Sequence, residues 1–225
     1  MIWDRLAFPW QCAVEEAWAG YCNGSFPHGA VVTDANGQIV SRGHNRINAQ
    51  AAQGTALSGH RLAHAEMNAL LQMDWSTVDV RNCILYSTIE PCPMCIGAVR
   101  MARMNKIRYA ARDNAAGASS LIDKTPYLKS GNLHIIGSED IELEAVLLSM
   151  LIEVALTIPH PDRTTWIKQL SSEVPVASQL GHKLFASKQL HVWKEEGKEA
   201  SFVLDQLGLE CAKLLPMSQQ CTFKQ

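Results

Sequence analysis

His64-Ala65-Glu66, and further along Pro91-Cys92-Pro93-Met94-Cys95, are the stretches from which this 225-residue chain is read. One neutral imidazole, His64, and two thiolates, Cys92 and Cys95, make a three-ligand shell for zinc. Such a shell leaves the fourth tetrahedral position to water, as catalytic zinc sites do, whereas a structural zinc takes a fourth protein ligand. Glu66 is not needed to hold the metal, and a carboxylate two positions from a ligand stands where a proton carrier for that water would stand. The motif therefore points to hydrolytic zinc chemistry.

The spacing constrains local structure. Cys92 and Cys95 are three apart, so on a helix they share a face, and Pro93 fits the first turn of such a helix. A helix start also favours thiolates through its unpaired N–H groups and dipole. His64 and Glu66 are two apart and would diverge in the middle of a helix, so both serve one site only if a helix begins there. Two helix N-termini are expected around the zinc. Two thiolates cancel much of the ion's charge and weaken its activation of water, which leaves Glu66 as the expected base. Attack on an amidine-like carbon, with proton return through Glu66 and loss of ammonia, is hydrolytic deamination of a nitrogen heterocycle.

Working outward, Leu62–Met73 reads as the first of these helices and Pro91–Met104 as the second. The apolar run Cys83–Tyr86 reads as a buried strand, followed by strands at Ile107–Ala111 and Leu133–Ile136 and a long helix over Glu139–Ile158. Upstream, Pro9–Tyr21 is helix-like. Ala30–Thr33 and Gln38–Ser41 flank an Asn36-Gly37 turn and predict a hairpin. Residues 45–59 read as a loop. Strands alternating with helices predict an α/β fold, a three-layer α/β/α sandwich. Pro159-His160-Pro161 stops the long helix, so the expected division is a zinc-dependent catalytic domain over 1–158 and a helical C-terminal extension over 159–225.

Composition excludes other classes. Apolar residues make up 47% and charged residues 19%, and the net charge of -2 supplies no global field for a polyanion. Met1–Gly20 lacks the layout of a secretory signal, which predicts a cytoplasmic protein. The apolar run Leu143–Ile158 is interrupted by Glu144 and Glu153 and is shorter than a bilayer requires, so no membrane partner is expected. Of seven cysteines, two belong to the zinc motif; Cys12, Cys22, Cys83, Cys211 and Cys221 read as buried residues or free thiols. Arg100, Arg103, Lys106, Arg108 and Arg112 read as solvated surface or a subunit contact.

From about Gly29 through Ala118 the chain resembles the cytidine deaminase-like superfamily of zinc-dependent deaminases. Glu90–Ala98 resembles bacterial guanine deaminases. Ala111-Arg112-Asp113, Gly117-Ala118 and Ser120-Leu121 are similar to tRNA adenosine deaminases. The resemblance implies a mixed five-stranded sheet, zinc helices on one face, a homodimer, and zinc on His64, Cys92 and Cys95 with Glu66 catalytic. It also implies substrate contacts. Asn45 matches the family asparagine that hydrogen-bonds substrate, although as an Asn it also suits a turn. Ala65 matches a residue whose backbone meets the base. His28 stands where relatives place a pocket-lining side chain, with an unusual residue type for that position. The loop before His64 is longer than in the tRNA enzymes, and the extension after Ile158 has no counterpart there. A small nucleobase or nucleoside of purine type is thereby favoured as substrate, with a flipped tRNA base or a non-catalytic zinc-binding relative as alternatives.

Overall fold

Helix α1 (Phe8–Cys22) runs into strand β1 (Gly29–Thr33), which turns back into β2 (Ile39–His44). The turn is held by Asp34, whose Oδ1 accepts from the N–H groups of Asn36 at 2.8 Å and Gln38 at 2.9 Å. Gly37 sits at φ 79°, the left-handed conformation that the Asn-Gly pair predicts. The computed structural model describes residues 1–49, 57–138, 140–159 and 161–214. Part of the loop expected over 45–59, together with His160, Cys221 and the end of the C-terminal extension, lies outside those residues.

The chain continues through α2 (Ala65–Leu71), β3 (Ile84–Ile89), α3 (Pro93–Met101), β4 (Lys106–Ala111), the short α4 (Pro126–Lys129) and β5 (His134–Ile136). The five strands form one sheet in the order β2-β1-β3-β4-β5. β1 pairs antiparallel with β2 and β3, while β3, β4 and β5 run parallel, so the sheet is mixed.

Strand alternation distributes the core between the two faces. Ala30, Val32, Leu85 and Ile107 pack in one cluster with Ala65 and Ala69 of α2 and Ile96 and Val99 of α3. Val31 and Tyr86 point the other way, to Cys12 and Ala13 of α1. The result is the predicted α/β/α sandwich. Two glycines set how close its layers come. A Cβ at Gly29 would overlap the α1 backbone at Ala13 and Ala17, and one at Gly43 would overlap the α2 backbone at Ala65 and Ala69.

By packing, the chain divides into Ala7–Ser138, which holds the whole sheet, and Met1–Leu6 with Glu139–Gln225. The second unit is built on α5 (Ile141–Thr157), against which α6 (Arg163–Leu170), α7 (Pro175–Ser187) and α9 (Ala200–Leu214) pack, with α8 (Gln189–Glu195) after α7. Asp140 caps α5 by accepting from the N–H groups of Glu142 and Leu143. Every residue of α5 from Leu143 to Ala155 is buried, so the helix has no solvent stripe. Composition groups Glu139–Ile158 with the strands before it, with a boundary after 158; packing places the division at 138. Within the second unit, the bare α-carbon of Gly181 lets α7 close on Ile152 and Ser149 of α5. The N-terminal residues join this unit through the Trp3 N–H, which donates to Asp205 Oδ1 at 2.9 Å. No described helix is long and apolar enough to cross a membrane.

Candidate active site

α2 starts later than the apolar pattern from Leu62 suggests, because His64 is its N-cap, with an extended φ of -74° and ψ of 156°. α3 likewise starts at Pro93, with Cys92 as its N-cap. Cys95 then lies in the first turn of α3, so the sulfurs meet across a helix start rather than along one helical face. The two starts converge. His64 Nδ1 is 3.6 Å from Cys92 Sγ and 3.6 Å from Cys95 Sγ, and the sulfurs are 3.6 Å apart.

These separations fit zinc. With Zn–S near 2.3 Å and Zn–N near 2.0–2.1 Å, a tetrahedral shell sets ligand atoms about 3.5–3.8 Å apart. Among the described residues, this is the one group of three or more His, Cys, Asp or Glu side chains arranged to hold a metal, and no fourth such ligand joins it.

Glu66, in the first turn of α2, is 3% exposed. Its Oε1 accepts from the Ser87 hydroxyl at 3.1 Å and its Oε2 from the Cys95 thiol at 3.4 Å. Ser87 comes from β3, directly opposite Ala30 of β1, so the sheet itself aims the carboxylate. Burial raises the Glu66 pKa, against the opposing pull of its own backbone N–H and of His64. A carboxyl group held this way exchanges protons more readily near neutral pH than an exposed glutamate does.

The two cysteines divide one charge between them when no cation is present. The Cys92 thiol is drawn down to about 4, first by its hydrogen-bond contact with Cys95 and then by His64. Cys95, in contact with both Cys92 and Glu66 and buried, is pushed up. A cation between the sulfurs would reverse the direction for Cys95 and make both thiolates. His64 is raised, chiefly by its contact with Cys92.

Of the residues expected to meet substrate, Ala65 follows His64 directly, His28 lies close enough to His64 to feel its charge, and Asn45 adjoins His28. Sheet pairing sets Gly29 opposite His44 of β2, and Asn45 N–H donates to His28 O at 2.9 Å, so His28 and Asn45 sit side by side. Asn45 is buried, and its Oδ1 accepts from the Ile47 N–H at 3.1 Å, which realises the turn role its residue type also allows. His28 stacks on Phe26, with ring centroids 5.7 Å apart and planes 20° apart. Its Nε2 is buried without a partner. Burial, with the nearby His64 adding to it, lowers the His28 pKa to about 3, so the ring is neutral. Ala65 is the first residue of α2, where a backbone N–H has no intrahelical acceptor. His44 pairs with Glu16 at 2.8 Å and His60 accepts from the Leu62 N–H, so both are structural.

Three positions carry roles that the motif does not announce. Ser87 fixes Glu66. Asn68 Nδ2 donates to His44 O and Leu57 O while its Oδ1 accepts from the Leu57 N–H, tying α2 to the segment before it. Glu90 accepts from Ser119 through Oε1 and from the Asp113 N–H through Oε2, fastening the loop after β4 to the start of the cysteine turn. Only the last leaves a sequence signal, an acid just before Pro91-Cys92.

Three side chains able to hold zinc on two converging helix starts, a buried carboxyl outside that set and a mixed five-stranded sheet are features that zinc deaminases combine. Residues 5–111 match the model of the cytidine and deoxycytidylate deaminase zinc-binding region, and over that stretch the chain is similar to the cytidine deaminase-like superfamily of zinc-dependent deaminases. A tRNA-specific adenosine deaminase of Bacillus subtilis is 34% identical over 112 residues, 49% of this chain and 64% of that protein. A guanine deaminase of the same organism is 33% identical over 103 residues, 45% of this chain and 60% of that protein. The match thus spans less than two thirds of the length of either relative. A solved structure of a mutant protein in complex with 8-azaguanine aligns with a TM-score of 0.51 at 20% identity, covering 65% of this chain and 81% of that one, a likeness of fold.

Proposed function

We propose that the chain is a hydrolytic deaminase of a small nitrogen heterocycle, a nucleobase or nucleoside of purine type, releasing ammonia. The observation that carries the reading is Glu66: buried, held by Ser87 on β3, beside Cys95 and outside the three-ligand donor set. His64, Cys92 and Cys95 would hold zinc, which supplies acidification of a water and stabilisation of developing negative charge.

Glu66 takes one proton from the attacking water and delivers it to the ring nitrogen next to the reacting carbon. The carbon, now bearing the hydroxyl group, is tetrahedral. Glu66 then takes the hydroxyl proton as the carbonyl forms and passes it to the amine, and the C–N bond breaks to release ammonia. Water and an aminated ring become an oxo ring and ammonia, with no other reactant. Asn45 and the Ala65 N–H orient the ring, and neutral His28 lines its edge. All these residues lie in the unit Ala7–Ser138.

Ammonia release by the zinc-loaded protein across amino-purines, amino-pyrimidines, their nucleosides and amino-triazines tests the reading. Turnover of one small ring, absent in Glu66→Gln, supports it. A second reading, deamination of a tRNA base, is favoured by the 34% identity to the tRNA-specific enzyme. It requires tight, salt-dependent tRNA binding. Weak binding insensitive to salt removes it.

A further inference from the structure

Arg81, Arg100 and Arg103 line one cleft of about 300 Å³ whose wall contains no carboxylate. Among the described residues no acid pairs with any of the three. Asp79, two positions before Arg81, is engaged elsewhere: its Oδ1 accepts from the Arg81 backbone N–H and its Oδ2 from Asn82 Nδ2. Three guanidinium groups around one small space repel each other, and the cleft is where an anion would relieve them.

The cationic groups are placed rather than loose. Arg100 Nε donates to Tyr127 O at 3.2 Å, and its guanidinium lies over the Tyr127 ring, 4.3 Å from the centroid. It also lies flat against Gly131, where any Cβ would overlap it. Arg103 ends α3 in the left-handed conformation, φ 62°, while Met104 N–H closes on Val99 O at 3.2 Å. That helix stop ordinarily takes glycine, so an arginine there bears strain that glycine would avoid. Strain of this kind is a pointer to function. Asn132, also in the wall, is left-handed as well, with φ 48°. The carbonyls at the end of α3 offset part of the repulsion between Arg100 and Arg103, but Arg81 belongs to a separate segment.

The cleft is distinct from the zinc centre. Arg81 precedes β3, Arg103 precedes β4 and Asn132 precedes β5, so the cleft lies at the N-terminal ends of three parallel strands. Cys92 and Cys95 follow the C-terminal end of β3.

We propose that this cleft binds a phosphate group, carried by inorganic phosphate, pyrophosphate or a mononucleotide. Guanidinium forks match phosphate oxygens in pairs, and the volume suits one or two phosphoryl groups better than a length of polynucleotide. The test is calorimetric titration of the zinc-loaded full chain at low ionic strength with phosphate, pyrophosphate and a nucleoside monophosphate, repeated on Arg81→Gln and Arg103→Gly. The expected result is saturable binding of at least one of the three, weakened at least tenfold by each substitution. Whichever ligand binds identifies the source of the phosphate. Arg103→Gly carries a second readout: it relieves the left-handed backbone while removing a cation, so the melting temperature rises as binding falls. The proposal fails if none of the three ligands binds saturably at millimolar concentration, or if the melting temperature rises and binding stays unchanged. Binding only to a tRNA-sized RNA, with none to the small anions, also overturns it, in favour of a polynucleotide surface.

Discussion

Helix α3 collects sulfur ligands at its start, with Cys92 and Cys95 3.6 Å apart beside His64, and cations at its end, with Arg100 and Arg103 facing Arg81 across a cleft. Both ends concentrate one kind of charge, yet their settings differ. Cys95 is fully buried, whereas Arg81 and Arg103 are exposed to water. Water screens like charges on a surface and leaves their mutual cost small, while a thiolate as buried as Cys95 depends on its counter-ion. Burial, more than charge, decides how far each end of the helix relies on an ion.

Withdrawing the cation should have the largest effect. Chelation of zinc is expected to abolish deamination and to lower the melting temperature by several degrees or more, with both restored by added zinc. Removing phosphate from the solution should leave the melting temperature within a few degrees. Activity assays and thermal scans with and without chelator check this. Equal thermal shifts from the two treatments would place the ends on the same footing.

The next effect is chemical. Glu66→Gln keeps the shape of the side chain and its bond from Ser87 but cannot carry the proton, so turnover is expected to fall about 10²–10⁴-fold. Bound zinc, measured by metal analysis, should remain near one per chain. Loss of zinc in this variant would make Glu66 a ligand and the donor set four rather than three.

These two effects concern residues that the sequence displays openly, because metal ligation demands particular residue types at fixed spacing. His64, Cys92 and Cys95 are read that way, and their helix starts follow from the two-residue offset of His64 and Glu66. The hairpin is legible for a similar reason, since Asn36-Gly37 has few other uses between apolar runs. The supporting contacts are not legible. Ser87 reaches Glu66 only because β3 pairs with β1 in one register, and a serine in an apolar strand carries no mark of it. The basic residues show the same limit. Arg100 and Arg103 look like scattered surface charge in sequence, and only the return of the chain through Arg81 and Asn132 gathers them at one cleft. The division at 138 is equally hidden, because the apolar pattern of α5 says that it is buried but not by which helices.

A packing effect comes next in size. Gly43 lies under α2, so Gly43→Ala must push the helix that carries His64 and Glu66 off the sheet. Overpacking of this kind costs about 1–3 kcal/mol, read as a lower denaturant midpoint. Gly37→Ala meets no atoms within contact distance and is strained only by its φ of 79°, so it should cost about 1 kcal/mol or less and leave zinc affinity unchanged. A similar loss of zinc affinity in both variants would show that the position of α2 does not govern the metal site.

The smallest effect separates His28 from the ligand histidine beside it. Burial, with the His64 charge adding to it, holds the His28 pKa at about 3, below its ordinary 6.5. An unfolded chain therefore takes up a proton on this residue as pH falls through 6.5, while the folded chain refuses it until about 3. Stability contributed by the neutral ring is present above 6.5 and drains away between 6.5 and 3. The slope is below about 1.4 kcal/mol per pH unit, since the residue as a whole is only half-buried even though its Nε2 is covered. His28→Phe keeps the stack on Phe26 and removes the titration, so its stability should fall less steeply across that window. Protonation of His64, Cys92 and Cys95 acts on both proteins alike and cancels in the difference between their unfolding curves. Coincident slopes would mean that the ring titrates in water and is not held neutral beside the zinc ligands. A flatter slope for the variant would mark His28 as a ring held neutral by burial beside His64.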